Sequence, residues 1–337
     1  MGDLIAFMSA ASLWIAATGA IDTREFTSAV HDVPGGFSSA IASWNVTTPP
    51  GGWIAVQLRA RIEQRWTAWY EMGHWSPSLG DGHRHSIAKQ SDADGSVDTD
   101  TLNLSHPAQA LQLRAQLHAA SDGVLPTLRL LGVSTDDGRA ASDNVAAAAD
   151  VAAWGVDIDV PELTQLVGKN GGAYGGGGGS WCSPTSVAMV MRYWSQRLNK
   201  PQWVFDVPTA AKGTYDPVYD GCGNWPFNVA FASEHGLKGW IERFTSLADI
   251  ERYVARRIPV IASIRTKPGE LDGTPYKSTD GHLLVVRGFT AGGDVIVNDP
   301  AAQAGTIRRV YKRAQFAHVW QHGSHGAVYL IAPPSII

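Results

Sequence analysis

The stretch GGGGGSWCSPTSVAMVMRYW, residues 175–194, joins a run of glycines to a segment that the sequence predicts to be a helix. Pro184 suits the first helical turn, because its missing backbone N–H group has no helical partner to lose there. Four apolar side chains then recur at helical spacing: Val187, Val190, Met191 and Trp194. Ala188 and Met189 are apolar as well, so we expect a buried helix with Cys182 at its N-terminal end.

Cys182 is one of only two cysteines in the 337-residue chain, which is too few for a disulfide framework. The N-terminal end of a helix favours an anion, because its N–H groups are unpaired and the helix dipole is positive there. A thiolate is such an anion and is the nucleophilic form of cysteine, so the position predicts an activated thiol. The alternative is a cysteine that serves only as a small buried apolar side chain.

The character of the chain changes near residue 140. Before this point, runs of alternating apolar and polar residues are separated by turn residues, as in GWIAVQLRARI (52–62), ALQLRAQLHA (110–119) and LPTLRLLGVS (125–134). Such runs predict an antiparallel β-sandwich over residues 1–138. The alanine-rich residues 139–156 are interpreted as a linker, and residues 157–337 as a second domain.

The second domain is predicted to contain helices followed by strands. SLADIERYVARR (246–257) has apolar residues at helical spacing and a serine that can cap the helix. Strands are predicted at IPVIASIR (258–265), HLLVVRGF (282–289), DVIVNDP (294–300) and GAVYLIAP (326–333). A helical block followed by antiparallel strands is typical of an α+β fold.

A cysteine nucleophile needs a base and a group that orients the base. His282 begins one predicted strand, and Asp299 ends the strand that returns after residues 290–293. If those four residues form the hairpin loop, Phe289 faces Asp294, and His282 lies diagonally from Asp299 on the same face. Diagonal neighbours are ~7–8 Å apart, so a carboxylate there can hold an imidazole. A loop one residue longer would place the two on opposite faces, and a structural histidine with a turn aspartate is the alternative.

Four segments carry a resemblance to a known family: WCSPTSVAMVMRYW (181–194), GNWPFNVAFASEHGL (223–237), DGHLLVVRGFTAGGDVIVNDPAA (280–302) and VYKRAQF (310–316). In these segments the chain resembles the family thirty-nine-like cysteine peptidases, the bacteriocin-leader-peptidase-like branch of the papain superfamily. The resemblance extends over about residues 157 to 334. It implies a papain-like domain over residues 157–337, with the cysteine on a central helix and the histidine and carboxylate on adjacent strands.

The resemblance also implies the site residues and the reaction. Cys182 would be the nucleophile, His282 the base and Asp299 the acid that orients the base. Gln165 matches a glutamine that lines the oxyanion hole in the family, although seventeen positions, many of them glycine, separate it from Cys182. An ordinary surface glutamine is the alternative for Gln165.

The implied activity is that of a cysteine peptidase, a hydrolase that cleaves a peptide or related amide bond through a thioester acyl-enzyme. It acts on a peptide or protein substrate and requires no metal and no organic cofactor. A thiol acyltransferase, an isopeptidase or a deamidase would use the same residues, and a catalytically silent binding protein could retain them. These alternatives stay open at the level of the sequence.

Glycine fills most of residues 171–179. Without side chains, the backbone of this loop could come close to Cys182 without obstructing a peptide. The loop is not a phosphate-binding loop, because no Gly-Lys-Ser/Thr sequence follows it. A flexible surface loop without a function is the alternative.

Composition excludes some partners. The net charge is −4, which predicts no nucleic-acid partner. No apolar run reaches the ~18 residues of a membrane span. The first twenty residues are apolar and end in small residues, as a signal peptide does. They lack the positive charge that begins a signal peptide, so an ordinary first strand or helix is favoured. The family resemblance favours a secreted or extracytoplasmic bacterial protein.

Other conspicuous residues are assigned no catalytic role. Tryptophan is frequent before residue 80, at Trp44, Trp53, Trp66, Trp69 and Trp75. These side chains are expected to fill the core or edges of the sandwich, and contact with carbohydrate or cell wall is the alternative. His318, His322 and His325 lack accompanying metal ligands and are expected to be exposed. Cys222 is interpreted as a structural thiol.

Overall fold

Ten antiparallel strands occupy the N-terminal half of the computed structural model, which describes residues 13–138, 149–167 and 173–337. We call residues 13–138 the N-terminal half and the described residues from 149 onward the C-terminal half. The strands are β1 (Leu13–Ile21), β2 (Glu25–Thr27), β3 (His31–Thr47), β4 (Trp53–Ile62), β5 (Arg65–Trp66), β6 (Tyr70–Trp75), β7 (Gln90–Ser91), β8 (Gly95–Asp98), β9 (Thr101–His118) and β10 (Thr127–Asp136).

These ten strands form one hydrogen-bonded sheet with the order β1-β10-β3-β9-β4-β5, and the remaining strands pair at its margins. β3 and β9 are 17 and 18 residues long, and their shared register is interrupted between Asp32 and Phe37 and again before Ser39. Bulges of this kind bend a strand. The antiparallel pairing agrees with the sequence prediction, while its division into two facing layers stays a prediction. Residues 1–12 of the apolar first segment lie outside the described residues, and Leu13–Ile21 form an edge strand.

Helices and a second antiparallel sheet make up the C-terminal half. The helices are α1 (Ala173–Gly176, a single distorted turn), α2 (Cys182–Leu198), α3 (Val207–Thr214), α4 (Trp225–Glu234), α5 (Leu247–Ala255) and α6 (Arg313–Ser324). The strands are β11 (Lys238–Arg243), β12 (Val260–Thr266), β13 (Thr279–Phe289), β14 (Val295–Asn298), β15 (Arg308–Tyr311) and β16 (Ala327–Ala332), in the order β11-β16-β12-β13-β14-β15. The predicted α+β class is correct.

Helix α2 lies against this sheet. Its entire apolar stripe is buried, and the indole of Trp194 donates a 2.9 Å hydrogen bond to the carbonyl of Ile331 in β16. One turn after Cys182, the hydroxyl of Ser186 donates to the carbonyl of Leu283 in β13 at 3.2 Å. This contact fixes the start of α2 beside His282, the residue that precedes Leu283.

Helix α4 connects the two halves. Phe227 on α4 packs edge-on against Trp44 and Trp75 of the N-terminal half, with ring centroids 6.2 and 5.3 Å away. At Gly73, a Cβ atom would lie 3.1 Å from the Phe227 ring, so the close packing there depends on a glycine. Asn45 adds two hydrogen bonds to the backbone of Gly239, at 2.7 and 3.0 Å. The buried apolar core thus continues from one half into the other.

Residues 139–148 of the predicted linker lie outside the described residues. The remainder of the linker packs onto the C-terminal half. A short 3-10 turn forms at Val151–Ala153, and Trp154 makes an isolated bridge to Phe289 at the end of β13. The Trp154 indole also donates a 2.8 Å hydrogen bond to the buried carboxylate of Glu251.

Candidate active site

Cys182 is the first residue of α2 and is half-buried, as the sequence predicts for its position. The residue before it, Trp181, is completely buried and has a non-helical backbone conformation. The Trp181 indole donates a 3.0 Å hydrogen bond to the carbonyl of Tyr174 in the glycine-rich segment. Trp181 therefore fixes the backbone immediately before the thiol.

His282 and Asp299 lie together, although not through the four-residue loop that the hairpin argument assumes. Nε2 of His282 is 2.8 Å from Oδ1 of Asp299, and both side chains are buried. The imidazole also acts on the neighbouring Cys182 thiol and lowers its pKa. Since Nε2 is occupied by Asp299, Nδ1 is the nitrogen that serves the thiol. The three residues form a continuous chain from sulfur to carboxylate.

The predicted hairpin loop is wrong by one residue. Phe289 pairs with Val295 rather than with Asp294, so the loop spans residues 290–294. Asp294 instead closes the loop, because its N–H group donates to Oγ1 of Thr290 at 3.0 Å. The register then shifts by one between Val286 and Gly288, and this bulge returns Asp299 to the face of His282.

The charges of Cys182 and His282 stabilise one another. Burial by itself raises the pKa of the Cys182 thiol, but the hydrogen bond and positive charge of His282 outweigh it, so the pKa is lowered. Burial by itself lowers the pKa of His282, but the Asp299 carboxylate and the thiol raise it above its ordinary value. Both shifts favour a thiolate next to an imidazolium around neutral pH.

Two tyrosines at this site were not found from the sequence. The Tyr311 hydroxyl donates to Oδ2 of Asp299 at 2.7 Å, and the Tyr276 hydroxyl donates to the same atom at 3.2 Å. The backbone N–H of Ala301 donates to Oδ1 at 3.0 Å. Although burial opposes ionisation, His282 and these donors keep the pKa of Asp299 below its ordinary value. Tyr311 lies in the VYKRAQF segment, and the family resemblance of that segment was the only feature of the sequence that could have pointed to this tyrosine.

Gln165 is buried in the wall of the same cleft, so it is not an ordinary surface glutamine. Its Nε2 atom donates a 3.0 Å hydrogen bond to the carbonyl of Gly179. Its backbone N–H donates to the carbonyl of Pro300 at 2.8 Å, next to Asp299. An amide nitrogen carries two hydrogens, and the contact with Gly179 uses one of them.

The glycine-rich segment packs closely against the site; Gly171 and Gly172 lie outside the described residues. A Cβ atom on Gly178 would lie 2.5 Å from the backbone oxygen of Gln165. A Cβ atom on Gly175 would lie 2.5 Å from the backbone of Asp220 and Gly221. In the described part of the segment, glycine therefore permits close contact between backbones.

Cys182, His282 and Gln165 line a cleft of about 560 Å³. Tyr276 and Ala301 lie in the same wall as His282, and further lining residues are Leu166, Tyr219, Gly223, Trp225, Ser263 and Thr279. The thiol therefore opens into a groove large enough for several residues of a peptide.

Cys222 differs from Cys182 in its surroundings. It is buried, and its thiol lies 3.4 Å from the carbonyl of Tyr174 and 3.3 Å from that of Ala211. Burial raises the pKa of the Cys222 thiol to about 12. Both thiols are free, so Cys182 is the cysteine whose surroundings favour a thiolate.

The histidines near the C-terminus are not among the residues that line the cleft at Cys182. His318 and His322 are exposed on α6 with ring centroids 4.5 Å apart, and His325 pairs with Asp136 at 2.8 Å. Within the described ranges, no group of three or more His, Cys, Asp or Glu residues is arranged to hold a metal ion. No helix of the described residues is long and apolar enough to cross a membrane.

The tryptophans of the N-terminal half divide into two groups. Trp44 and Trp75 are fully buried. Trp53, Trp66 and Trp69 are half-buried and stack on charged or polar neighbours, which are His83, His118, Arg59 and Arg114. The first group fills the core, as expected.

Comparisons with known proteins identify the family of this chain. The sequence matches the Peptidase_C39 like family over residues 157–328 and the Peptidase C39 N-terminal domain over residues 16–136. Among solved structures, a protein described as a C39-like peptidase from Bacillus anthracis is 18% identical, with a TM-score of 0.33. That match covers 52% of this chain and 96% of the other. No match was found among curated proteins.

The fold and the family match together define a peptidase-type protein of papain-like architecture. More particularly, the chain belongs to the Peptidase_C39 like family, whose match covers more than half of its length.

Proposed function

We propose that this protein is a cysteine hydrolase that cleaves a peptide or related amide bond through a thioester acyl-enzyme. The observation that carries the proposal is the chain of contacts from Cys182 through His282 to Asp299. It provides a nucleophile, a base and an orienting carboxylate in the order that acyl transfer by a thiol requires.

Acylation uses the ion pair. The thiolate of Cys182 attacks the carbonyl carbon and forms a C–S bond, and the carbonyl π electrons move to the oxygen. When the intermediate collapses, the C–N bond breaks, and Nδ1 of His282 gives its proton to the leaving amine. The products of this step are a free amine, a thioester and a neutral imidazole.

Deacylation reverses these roles. The neutral His282 takes a proton from water, and the resulting hydroxide attacks the thioester carbonyl. The C–S bond breaks, which releases the carboxylic acid and restores the thiolate next to the imidazolium. Asp299 stays ionised throughout, because four donors from His282, Ala301, Tyr276 and Tyr311 surround its oxygens.

The developing oxyanion needs donors that are in place before the reaction. The backbone N–H of Cys182 lies at the N-terminal end of α2, and Gln165, in the wall of the same cleft, would supply its second Nε2 hydrogen. One such donor lowers the activation barrier by about 3–4 kcal/mol in comparable sites. The hydrogen bond from Gln165 to Gly179 fixes the amide orientation.

Digestion of a peptide library, with products identified by mass spectrometry, tests the proposal. We expect wild type to produce defined cleavages that Cys182→Ala eliminates and Cys222→Ala retains. Iodoacetamide at about pH 6 is expected to alkylate Cys182 much faster than Cys222, because the thiolate is favoured at only one of the two positions. Identical products from Cys182→Ala, or equal alkylation of both thiols, would overturn the proposal.

A further inference from the structure

A second cavity, of about 710 Å³, lies between the two halves of the molecule. Its N-terminal wall includes Ser39, Asp98 and Asn103, from β3, β8 and β9. Its C-terminal wall includes Arg265 and His322, from β12 and α6. Neither half alone encloses this space.

The cavity lies next to the catalytic cleft. Tyr219, Gly223 and Trp225 line both. Tyr219 is 48% exposed and Trp225 is half-buried. Aromatic side chains that are partly exposed present an apolar face together with a polar tip, which suits contact with a peptide backbone. A chain lying over these residues passes from one cavity into the other.

Contacts between the halves hold the cavity open. Oδ2 of Asp100 accepts a 2.6 Å hydrogen bond from the backbone N–H of Trp225, so the shared wall is tied to the N-terminal half. At another point on the lining, Asp136 pairs with His325 at 2.8 Å. The cavity is therefore formed before a ligand binds, as is usual for binding sites.

The lining is polar on both sides. Hydroxyl, amide and carboxylate groups from Ser39, Thr101, Asn103 and Asp98 face the guanidinium of Arg265 and the imidazole of His322. Donors and acceptors of both charges suit a peptide segment with polar side chains, whereas an apolar segment would leave these groups unpaired at a cost.

We propose that this cavity binds polar residues of the same peptide chain whose scissile bond lies at Cys182. The N-terminal half would thus form part of the substrate site and select for extended polar peptides. This inference rests on the proposed function, because it assumes that the cleft at Cys182 holds a peptide.

The test uses the full chain and peptides cleaved in the library digestion. Each peptide is prepared in three forms. The first is the full-length peptide, and the second is the same peptide with its polar flanking residues replaced by leucine. The third is a minimal coumarin amide that carries only the residues next to the scissile bond. Asn103→Trp fills the cavity from an exposed position on β9, and Gln109→Trp places the same side chain at an exposed position on the same strand, outside the cavity.

We expect Asn103→Trp to lower kcat/KM for full-length peptides at least tenfold, mainly through KM, and to change kcat/KM for the minimal amide less than twofold. Gln109→Trp should leave both values unchanged. Wild type should prefer polar over leucine-substituted peptides at least fivefold, and Asn103→Trp should lose that preference. Equal kcat/KM of Asn103→Trp and wild type on full-length peptides overturns the inference, as does a wild-type enzyme indifferent to peptide length and polarity.

Binding measurements separate this inference from the proposed function. Library peptides, which need not be cleaved, are titrated into Cys182→Ala by calorimetry. Affinity that rises with polar flanking residues and falls in the Cys182→Ala/Asn103→Trp protein supports the subsite, even if wild type cleaves nothing. If wild type cleaves peptides but the affinity of Cys182→Ala does not depend on the polar flanking residues, the proposed function is retained and the subsite is rejected.

Discussion

Nη1 of Arg287 donates a 3.0 Å hydrogen bond to the side-chain oxygen of Asn298, the residue immediately before Asp299. Arg287 is the extra residue of the bulge between β13 and β14. Its buried guanidinium also contacts Asp157 through Nε at 2.7 Å. These contacts secure the bulge that sets the position of Asp299 relative to His282.

Arg287 is therefore expected to be a positioning residue. Arg287→Ala should lower the free energy of unfolding by about 3 kcal/mol, because it breaks a largely buried ion pair. It should also lower kcat and move the acid limb of the pH profile upward, since Asp299 then holds His282 less well. Urea unfolding and pH-dependent kinetics measure these effects.

Arg308→Ala is the matched control, because Arg308 contacts the same Asp157 at 3.0 Å but is more exposed and lies outside the bulge. It should leave the pH profile unchanged. An unaltered pH profile in folded Arg287→Ala would show that the bulge does not position the carboxylate.

The substitutions at the three central residues should follow a definite order. Cys182→Ala and His282→Ala should each lower kcat by about 10⁴-fold or more, because neither group can replace the other. Asp299→Asn should be the mildest, since an amide oxygen can still accept the hydrogen bond from the imidazole, and Asp299→Ala should be intermediate. Kinetics on variants whose folding has been checked by circular dichroism give this order, and full activity of folded His282→Ala would exclude the mechanism.

The pH dependence follows from the two shifted groups. The pKa of Cys182 is lowered, so activity should appear well below the ordinary thiol pKa of about 8.5 as the pH rises. The pKa of His282 is raised, so activity should persist well above the ordinary imidazole pKa of about 6.5 before the imidazolium loses its proton. We expect kcat/KM to form a broad plateau across neutral pH.

The rate of alkylation by iodoacetamide provides an independent measurement of the acid limb. In His282→Ala the pKa that defines this limb should return toward about 8.5, the ordinary pKa of a thiol. If the Cys182 thiol of wild type also titrates at the ordinary value, Cys182 and His282 do not form an ion pair.

Gln165→Ala should lower kcat by about a hundredfold with little change in KM, which is the effect of losing one oxyanion donor. Gln112→Ala, which removes a glutamine from the N-terminal half outside the cleft, should retain wild-type kcat. Should Gln165→Ala be fully active, the oxyanion donors would have to come from the backbone at Cys182 and the glycine-rich segment.

Asp100 provides a test of the contact between the halves. Burial raises the pKa of Asp100 to about 6, above the value of about 4 in an unfolded chain. The charged form is therefore disfavoured by folding, and this group reduces stability as the pH rises from about 4 through about 6.

Asp100→Asn should therefore have a free energy of unfolding about 3 kcal/mol higher than that of wild type at pH 8, and the difference should vanish toward pH 4. The amide oxygen can still accept the hydrogen bond from Trp225. Denaturant unfolding at several pH values measures the difference, with Asp22→Asn, at an exposed position away from Asp100, as the control. A difference that is constant with pH would contradict the raised pKa.

Local patterns were sufficient for much of the C-terminal half. The helix that starts at Cys182 and the strands around His282 are predicted correctly, because their apolar residues recur at regular intervals along the chain. The capping box between Ser246 and Asp249 likewise lies where α5 begins. Such features depend on residues that are close in sequence.

Features that depend on distant residues were missed. The bulge at Arg287 is fixed by Asp157, which lies 130 positions earlier. Tyr276 and Tyr311 reach Asp299 from a loop and an edge strand, and neither position has a pattern that distinguishes it from an ordinary tyrosine. No periodicity in the sequence relates these groups, so only the tertiary structure brings them together.

The packing of Phe227 against Trp44 and Trp75 has a consequence for engineering. Because one helix contributes to the cores of both halves, a fragment that begins at residue 157 would expose this aromatic surface to water and be prone to aggregation. An N-terminal half from another protein could replace this one only if it carried equivalents of both tryptophans and of Gly73 at the same positions. In this protein the region that could set substrate preference is inseparable from the region that stabilises the catalytic half.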